Sequence, residues 1–136
     1  MNVITVAAAI ILNEQNQLLV VRKKNTACFM QVGGKLDGNE TAEQAMLREI
    51  SEEIGGIAQI KCFVGRYETR AANEPDHLLV SYLYFIHFNQ TPQIQAEIAE
   101  MKWIDLSDDH TCLAPLTQDI VIPWVKQHLK ENVDAC

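Results

Sequence analysis

The sequence is short of positive charge, of closely spaced cysteines and of long apolar runs, and each shortage removes a class of function. Eleven lysines and arginines stand against eighteen aspartates and glutamates, a net charge of -7. That balance speaks against a nucleic-acid polymer or an anionic membrane as the main partner. Cys28, Cys62, Cys112 and Cys136 form no C-x-x-C pair and no metal-finger spacing, so they read as free thiols of a reducing cytoplasm. The apolar run over residues 3–12 is too short to span a bilayer and follows no basic segment. It reads as a strand. Linkers, repeats and low-complexity stretches are also missing. With 48% apolar and 21% charged residues, the 136 residues read as one globular domain over residues 1–136.

What is present is patterned. Residues 3–12 and 17–22 flank the polar turn 13–16 and read as a β-hairpin. Residues 22–26 form a basic, polar loop, and Gly33-Gly34 marks a place where backbone turns tightly or comes close to something else. Residues 41–54 read as a helix, because Thr41 and Gln44 make a capping box and Gly55-Gly56 supplies the stop. Strands are expected at 57–70 and 77–89, the second apolar on both faces and therefore central in its sheet. A short strand at 101–106 and a helix at 117–130, with Pro123 starting or kinking it, complete the series. One helix between strands and another after them, around a sheet covered on both faces, predict a layered α/β/α sandwich.

The acids are not evenly spread. Residues 37–53 hold Asp37, Glu40, Glu43, Glu49, Glu52 and Glu53 against one base, Arg48, a net −5 that leaves −2 for everything else. At about 100° per residue, Met46, Leu47, Ile50 and Ile54 gather on one arc of the helix. Glu49, Glu52 and Glu53 gather on another, where side chains are neighbours and repel. They also stand in the last turn, where the helix dipole is already negative. A solvated acidic face would account for such a stripe. The adjoining Gly-Gly loop, and a lone Arg48 placed four residues before Glu52, favour instead a site for a divalent cation. With no His or Cys beside the carboxylates, Mg²⁺ or Mn²⁺ fits better than Zn²⁺.

The same residues carry a resemblance. Gly34, then Glu40 after five residues, then Arg48-Glu49-Ile50-Ser51-Glu52-Glu53-Ile54-Gly55 after seven more, resemble the Nudix box G-x5-E-x7-R-E-U-x-E-E-x-G-U. Seven fixed positions match, and Ile50 fills the first aliphatic slot. Gly56 stands where the family has an aliphatic residue, and Ile57 is expected to take over that packing; Val32 stands where many members have Pro. The chain length, the opening hairpin and the segment Glu97-Ile98-Ala99-Glu100-Met101-Lys102-Trp103 are similar to those of small MutT-type members.

The resemblance implies an α+β fold, a Nudix-type α/β/α sandwich with a mixed β-sheet. It implies hydrolysis of a nucleoside diphosphate linked to another moiety, with Mg²⁺ as cofactor and Mn²⁺ as a substitute. The partner is then a small nucleotide, with no nucleic-acid polymer and no membrane, and the chain a monomer or homodimer. Carried over to this sequence, Glu49 and Glu53 are the principal metal ligands and Glu52 a further ligand or the general base. The backbone carbonyl of Gly33 is an additional ligand, and Glu97 or Glu100 adds a ligand or the base. Arg48 orients the carboxylates, and Glu40 fixes the loop to the helix.

Substrate identity rests on fewer signals. Arg22, Lys23, Lys35, Arg66 and Arg70 either hold phosphates or are solvated surface charge, while Phe29, Tyr67 and Tyr82 either stack on a base or pack in the core. The proline that ADP-ribose-cleaving members often carry beyond the box is missing at its usual distance, Pro75 falling later, and the additional motif of coenzyme A-cleaving members is absent. A (deoxy)nucleoside triphosphate, cleaved to monophosphate and pyrophosphate, is therefore the expected substrate. The alternatives are an ADP-ribose or nucleotide-sugar pyrophosphatase, and a nucleotide-binding or regulatory module that does not hydrolyse. Every acid of the box is present, which favours hydrolysis.

Overall fold

A computed structural model describes residues 2–72 and 74–131. Along the chain run β1 (Asn2–Ile11), β2 (Leu18–Lys23), β3 (Val32–Lys35), α1 (Ala42–Ile54), β4 (Gln59–Arg70), β5 (His77–His87), β6 (Ile98–Ile104) and α2 (Ile122–Glu131). Four strands form a mixed sheet in the order β3-β1-β5-β4, in which β1 runs parallel to β5 and antiparallel to β3. β2 and β6 make a separate antiparallel pair.

Alternation along β1 decides which layer each side chain joins. Ala7, Ala9 and Ile11 pack with Met46, Ile50 and Ile54 of α1, whereas Ala8 and Ile10 pack with Leu83, Val121 and Val125 on the α2 side. Helices cover both faces, giving the α+β sandwich of α/β/α layers that the pattern predicts. β5 lies inside the sheet, as its two apolar faces require.

The expected hairpin of β1 and β2 does not form. Asn13 closes the turn well enough: its side-chain oxygen accepts from the Gln17 N–H at 2.9 Å, and Asn16 takes φ 59°. Yet one bridge, Leu12 to Leu18, is all that joins the two strands before they part. Burial explains the divergence. Leu18, Leu19, Val20 and Val21 are all at most 1% exposed, so β2 needs cover on both faces and enters a second sheet with β6. β1 meanwhile gains two partners, β3 and β5, instead of one.

α1 is set by its ends, as expected. Thr41 accepts from the Gln44 N–H while the Gln44 side chain accepts from the Thr41 N–H, and Gly55 closes the helix in the left-handed region at φ 67°. Burying Met46, Ile50 and Ile54 completely is worth about 1.5–3 kcal/mol apiece. The C-terminal helix starts less cleanly. Residues Thr117–Val121 form a π turn in which the Ile122 N–H donates to Thr117 O, and α2 runs straight on from it with Pro123 as its second residue, so the wide turn stands where proline offers no N–H to the turn before it.

Two further expectations are corrected. Ile57 does not replace the aliphatic residue of the box; it is 82% exposed. The space is filled instead by Phe88, whose ring would lie 2.6 Å from a Cβ at position 56, so Gly56 is required by its neighbour. Cys28 and Cys112 are not free thiols: they form a disulfide, with Cα atoms 4.8 Å apart. Strand-like bonds bring them together, Phe29 N–H to Cys112 O and Ala114 N–H to Phe29 O, both 2.8 Å. Their separation of 84 residues hid the pairing from any reading of local spacing. Cys136 lies outside the described residues. Among those residues, no helix is long and apolar enough to cross a membrane.

Candidate active site

The last two turns of α1 project their acids toward β3. A side chain at position 34 would have to push the Glu49 carboxylate from its place, because a Cβ there would stand 2.7 Å from the carboxyl carbon. The paired glycines thus let a charged helix face approach bare backbone.

Arg48 organises the rim of this cluster. Its Nε donates to Glu40 Oε2 at 2.7 Å and its Nη2 to Glu40 Oε1 at 3.0 Å, a two-pronged pair. Nη1 reaches Glu49 Oε1 at 2.7 Å and both Glu52 oxygens at 3.3 Å, and Nη2 also donates to the Lys35 carbonyl. Glu40 in turn accepts from the Asp37 N–H at 2.8 Å, which ties the loop after β3 to the helix. The Arg48 guanidinium, with help from that N–H, holds the Glu40 carboxyl below the usual carboxylate range.

Glu53 behaves differently. Its side chain is 6% exposed, against 51% for Glu52. Burial pushes its pKa up to about 8; Lys23 pulls it back, while the carboxylate of Glu49, hydrogen-bonded to it, pushes it higher. The Gly33 N–H donates to Glu53 Oε1 at 3.2 Å, and Lys23 Nζ lies 3.6 Å from Oε2. A buried carboxyl hydrogen-bonded to a part-buried carboxylate, with an ammonium drawn in beside them, is a donor set that, once deprotonated, suits a hard cation. Glu52 turns outward to Arg48, and among the described residues no three acids converge to hold an ion as they stand.

Across β3 from the acids lies a cavity of about 290 Å³. Ile4, Val6, Ala8, Met30 and Leu79 line it, closed by the wall 114–116, with Lys23, Lys35 and Arg70 as its cations. Gly33 and Gly34 line it too, so only thin backbone separates the cavity from the acids.

Of the residues expected from the sequence, Arg48, Glu49, Glu52 and Glu53 come together around β3, and Gly33 touches Glu53 through its N–H. Glu97 stands just before β6, where its carbonyl accepts from Lys24 N–H at 2.8 Å; Gln95 N–H, two residues earlier, donates to Glu53 O. Lys35 and Arg70 reach the cavity. Arg22 does not line it, being held by Glu100 at 2.8 Å and by the Thr26 carbonyl, nor does Arg66, held by Glu68 at 2.8 Å on β4. Phe29, Tyr67 and Tyr82 pack in the two cores. Sequence reasoning missed the pairing of Lys23 with Glu53 and the presence of Gln31 in the cavity wall. A glutamine inside the apolar run Phe29-Met30-Gln31-Val32 was the available signal for the second.

Comparisons with known proteins bear on the family and the fold. The family model for the NUDIX domain matches residues 1–124. The chain is 34% identical over 98 residues to a candidate 8-oxo-dGTP diphosphatase of Bacillus subtilis (strain 168), an alignment covering 72% of this chain and 64% of that protein. It is 34% identical over 72 residues to an ADP-ribose pyrophosphatase of Methanocaldococcus jannaschii, covering 51% of this chain and 43% of the relative. The chain therefore spans less than two thirds of either relative. Among solved structures, the MutT NUDIX hydrolase of Burkholderia pseudomallei superposes with a TM-score of 0.71 at 24% identity, covering 90% of this chain and 98% of that one. That likeness speaks for the fold.

Proposed function

We propose, from the premise that the chain belongs to the NUDIX domain family, that it is a divalent-metal-dependent pyrophosphohydrolase whose substrate is a (deoxy)nucleoside triphosphate, split into monophosphate and pyrophosphate. The observation that carries this reading is the juxtaposition of buried Glu53 and its part-buried neighbour Glu49 with an apolar cavity across glycine backbone. One side suits a cation, the other a base and sugar.

Glu49 and Glu53 would hold Mg²⁺ or Mn²⁺, with the Gly33 carbonyl and Glu97 completing the set. Bound there, the ion supplies neutralisation of the pyrophosphate and acidification of water. The chain's own groups do the rest. Lys35 and Arg70 bind phosphate oxygens from the rim of the cavity, and Lys23 joins them from its place beside Glu53. Arg48 keeps Glu49 and Glu52 oriented while touching no substrate. Glu52, half exposed and next to the acid pair, takes the proton of the attacking water. Glu100 is poorly placed for that task because Arg22 engages it. The apolar lining holds the nucleoside and keeps bulk water from it.

The test is a panel of nucleoside triphosphates, ADP-ribose and nucleotide sugars with Mg²⁺, following phosphate and pyrophosphate separately. Pyrophosphate and monophosphate from a triphosphate are expected. Faster release of AMP and ribose 5-phosphate from ADP-ribose would favour the activity named for the archaeal relative. Tight binding without turnover would leave a sensing module instead.

A further inference from the structure

Among the described residues that line the cavity, Gln31 is the buried polar side chain, 4% exposed; the other polar groups are at least partly open to solvent. Its amide is locked. Nε2 donates to the Ala9 carbonyl at 3.0 Å, and Oε1 accepts from the Thr117 hydroxyl, also at 3.0 Å. A backbone carbonyl only accepts, so the first bond decides which end of the amide is nitrogen. Thr117 is fully buried, so the second bond is shielded from water.

Each end of the amide keeps one unused capacity, a second N–H on Nε2 and a second acceptor position on Oε1. Capping Ala9 O alone would need only the nitrogen. The hydroxyl on the other end adds a constraint that a merely structural amide does not require. Gln31 is one of the residues that line the cavity, together with apolar Ile4, Val6, Ala8, Met30 and Leu79, whose side chains offer nothing that could bond a base. With its free positions turned to the cavity, the amide would offer one donor and one acceptor in fixed order.

We propose that Gln31, locked by Ala9 and Thr117, is the residue that selects among nucleobases, preferring the base whose edge offers acceptor and donor in the matching order. The inference rests on the triphosphate reading above and names the part of that site which sets specificity. A freely turning amide would satisfy either order and discriminate little. The lock is what makes it selective, because a mismatched base leaves a desolvated donor facing a donor.

The experiment measures kcat/KM with Mg²⁺ for dATP, dGTP, dCTP, dTTP and 2-deoxyribose 5-triphosphate, which has no base. The proteins are the wild type, Gln31→Met and Thr117→Val. Wild type is expected to span at least about tenfold across the four bases, the discrimination of one amide–base pair. Gln31→Met should narrow that span to about twofold; it also leaves Ala9 O and the Thr117 hydroxyl without their partner, a cost that the base-free substrate reads by itself. A span that persists in Gln31→Met, or a uniform fall across all five substrates, overturns the proposal. Should Gln31→Met fail to melt cooperatively, Thr117→Val decides. It keeps the bond to Ala9 O and frees Oε1, so the ratio of best to worst base should shift by about threefold or more; an unchanged ratio overturns the proposal. A wild type that cleaves all four bases equally removes this inference alone. One that cleaves no triphosphate removes the functional reading with it.

Discussion

On the α1 side of β3 the polar groups are in conflict, whereas on the cavity side the buried amide of Gln31 is bonded at both ends. Glu53 is buried beside another carboxylate at the negative end of a helix, and only Lys23 and one backbone N–H relieve it. The two sides are separated by a strand that carries no side chain at Gly33 and Gly34. Unrelieved charge marks the place where an external cation lowers the energy. Satisfied polarity marks a surface that must hold its shape to recognise something. A protein that kept only one of these would bind ions or bind bases, and chemistry between them needs both within reach.

Breaking the charged side should have the largest effect. Glu53→Gln keeps the shape and removes the charge, so turnover should fall by about two orders of magnitude or more. The melting temperature of the metal-free variant should stay level near neutral pH, where Glu53 already holds its proton, and rise above about 8, where a buried like-charge contact is gone. Wild-type turnover in the purified variant would refute the role given to Glu53.

The same conflict should appear as a pH dependence of stability. In the fold Glu53 keeps its proton up to about 8, whereas the unfolded chain loses it in the ordinary carboxylate range. Between those limits the native state binds more protons, so the metal-free protein should lose stability as pH rises, by up to about 1.4 kcal/mol per pH unit. Below the carboxylate range both states are protonated and the slope vanishes with the stability fully present; above about 8 it vanishes again with that stability lost. Denaturant titrations in chelator should show the slope, and Glu53→Gln should flatten it. Parallel slopes in the two proteins would place the cost elsewhere.

Divalent ions should relieve the conflict directly. At a Mg²⁺ or Mn²⁺ concentration of 100 times its Kd, binding adds about 2.7 kcal/mol to the folded state, read as a rise in melting temperature. The rise should shrink in Glu49→Gln/Glu53→Gln. If both proteins gain equally, the ions act at another place.

The smallest effect separates the two arginines of β4. Arg70 lines the cavity and Arg66 is spent on Glu68. Arg70→Ala should raise KM about tenfold with kcat little changed, the loss of one charged phosphate contact. Arg66→Ala should change KM by less than about twofold, as exposed ion pairs do. Equal effects would mean that the substrate extends along β4 outside the cavity.

What the sequence made legible was local or periodic. The ends of α1 were written in Thr41, Gln44 and Gly55, and the centrality of β5 in its two apolar faces. The acid stripe was legible as a stripe, but not which acid would be buried, since that depends on how closely β3 approaches. The hairpin failed because an Asn13 turn fixes only a reversal of direction; the partner of each strand was decided by how many faces had to be covered. Ile57 and Phe88 exchanged roles because a ring from a strand end reached a place that helix periodicity assigned to the next residue along. Gln31 and Thr117 stand 86 residues apart, as Cys28 and Cys112 stand 84 apart, beyond any pattern of short spacing. The cavity, made of such distant pairs, was the least legible part.

The parallel ladder of β1 and β5 runs from Asn2 opposite His77 to Ile11 opposite Ile86, so the centre of the sheet closes over some of the longest loops available to the chain. Contacts so distant in sequence are slow to form, and domains built on them fold on the millisecond-to-second scale. α1 has no such wait: its caps and its stop are local, and its last turn is fully hydrated while the chain is open. β3, an edge strand, pairs with β1 over a much shorter separation, Val6 opposite Lys35. The burial of Glu53 against Gly33 nevertheless needs α1 and β3 both docked, and so follows the local closure of the helix. Removing its charge above about pH 8 should accordingly slow unfolding while leaving the rate of folding nearly unchanged.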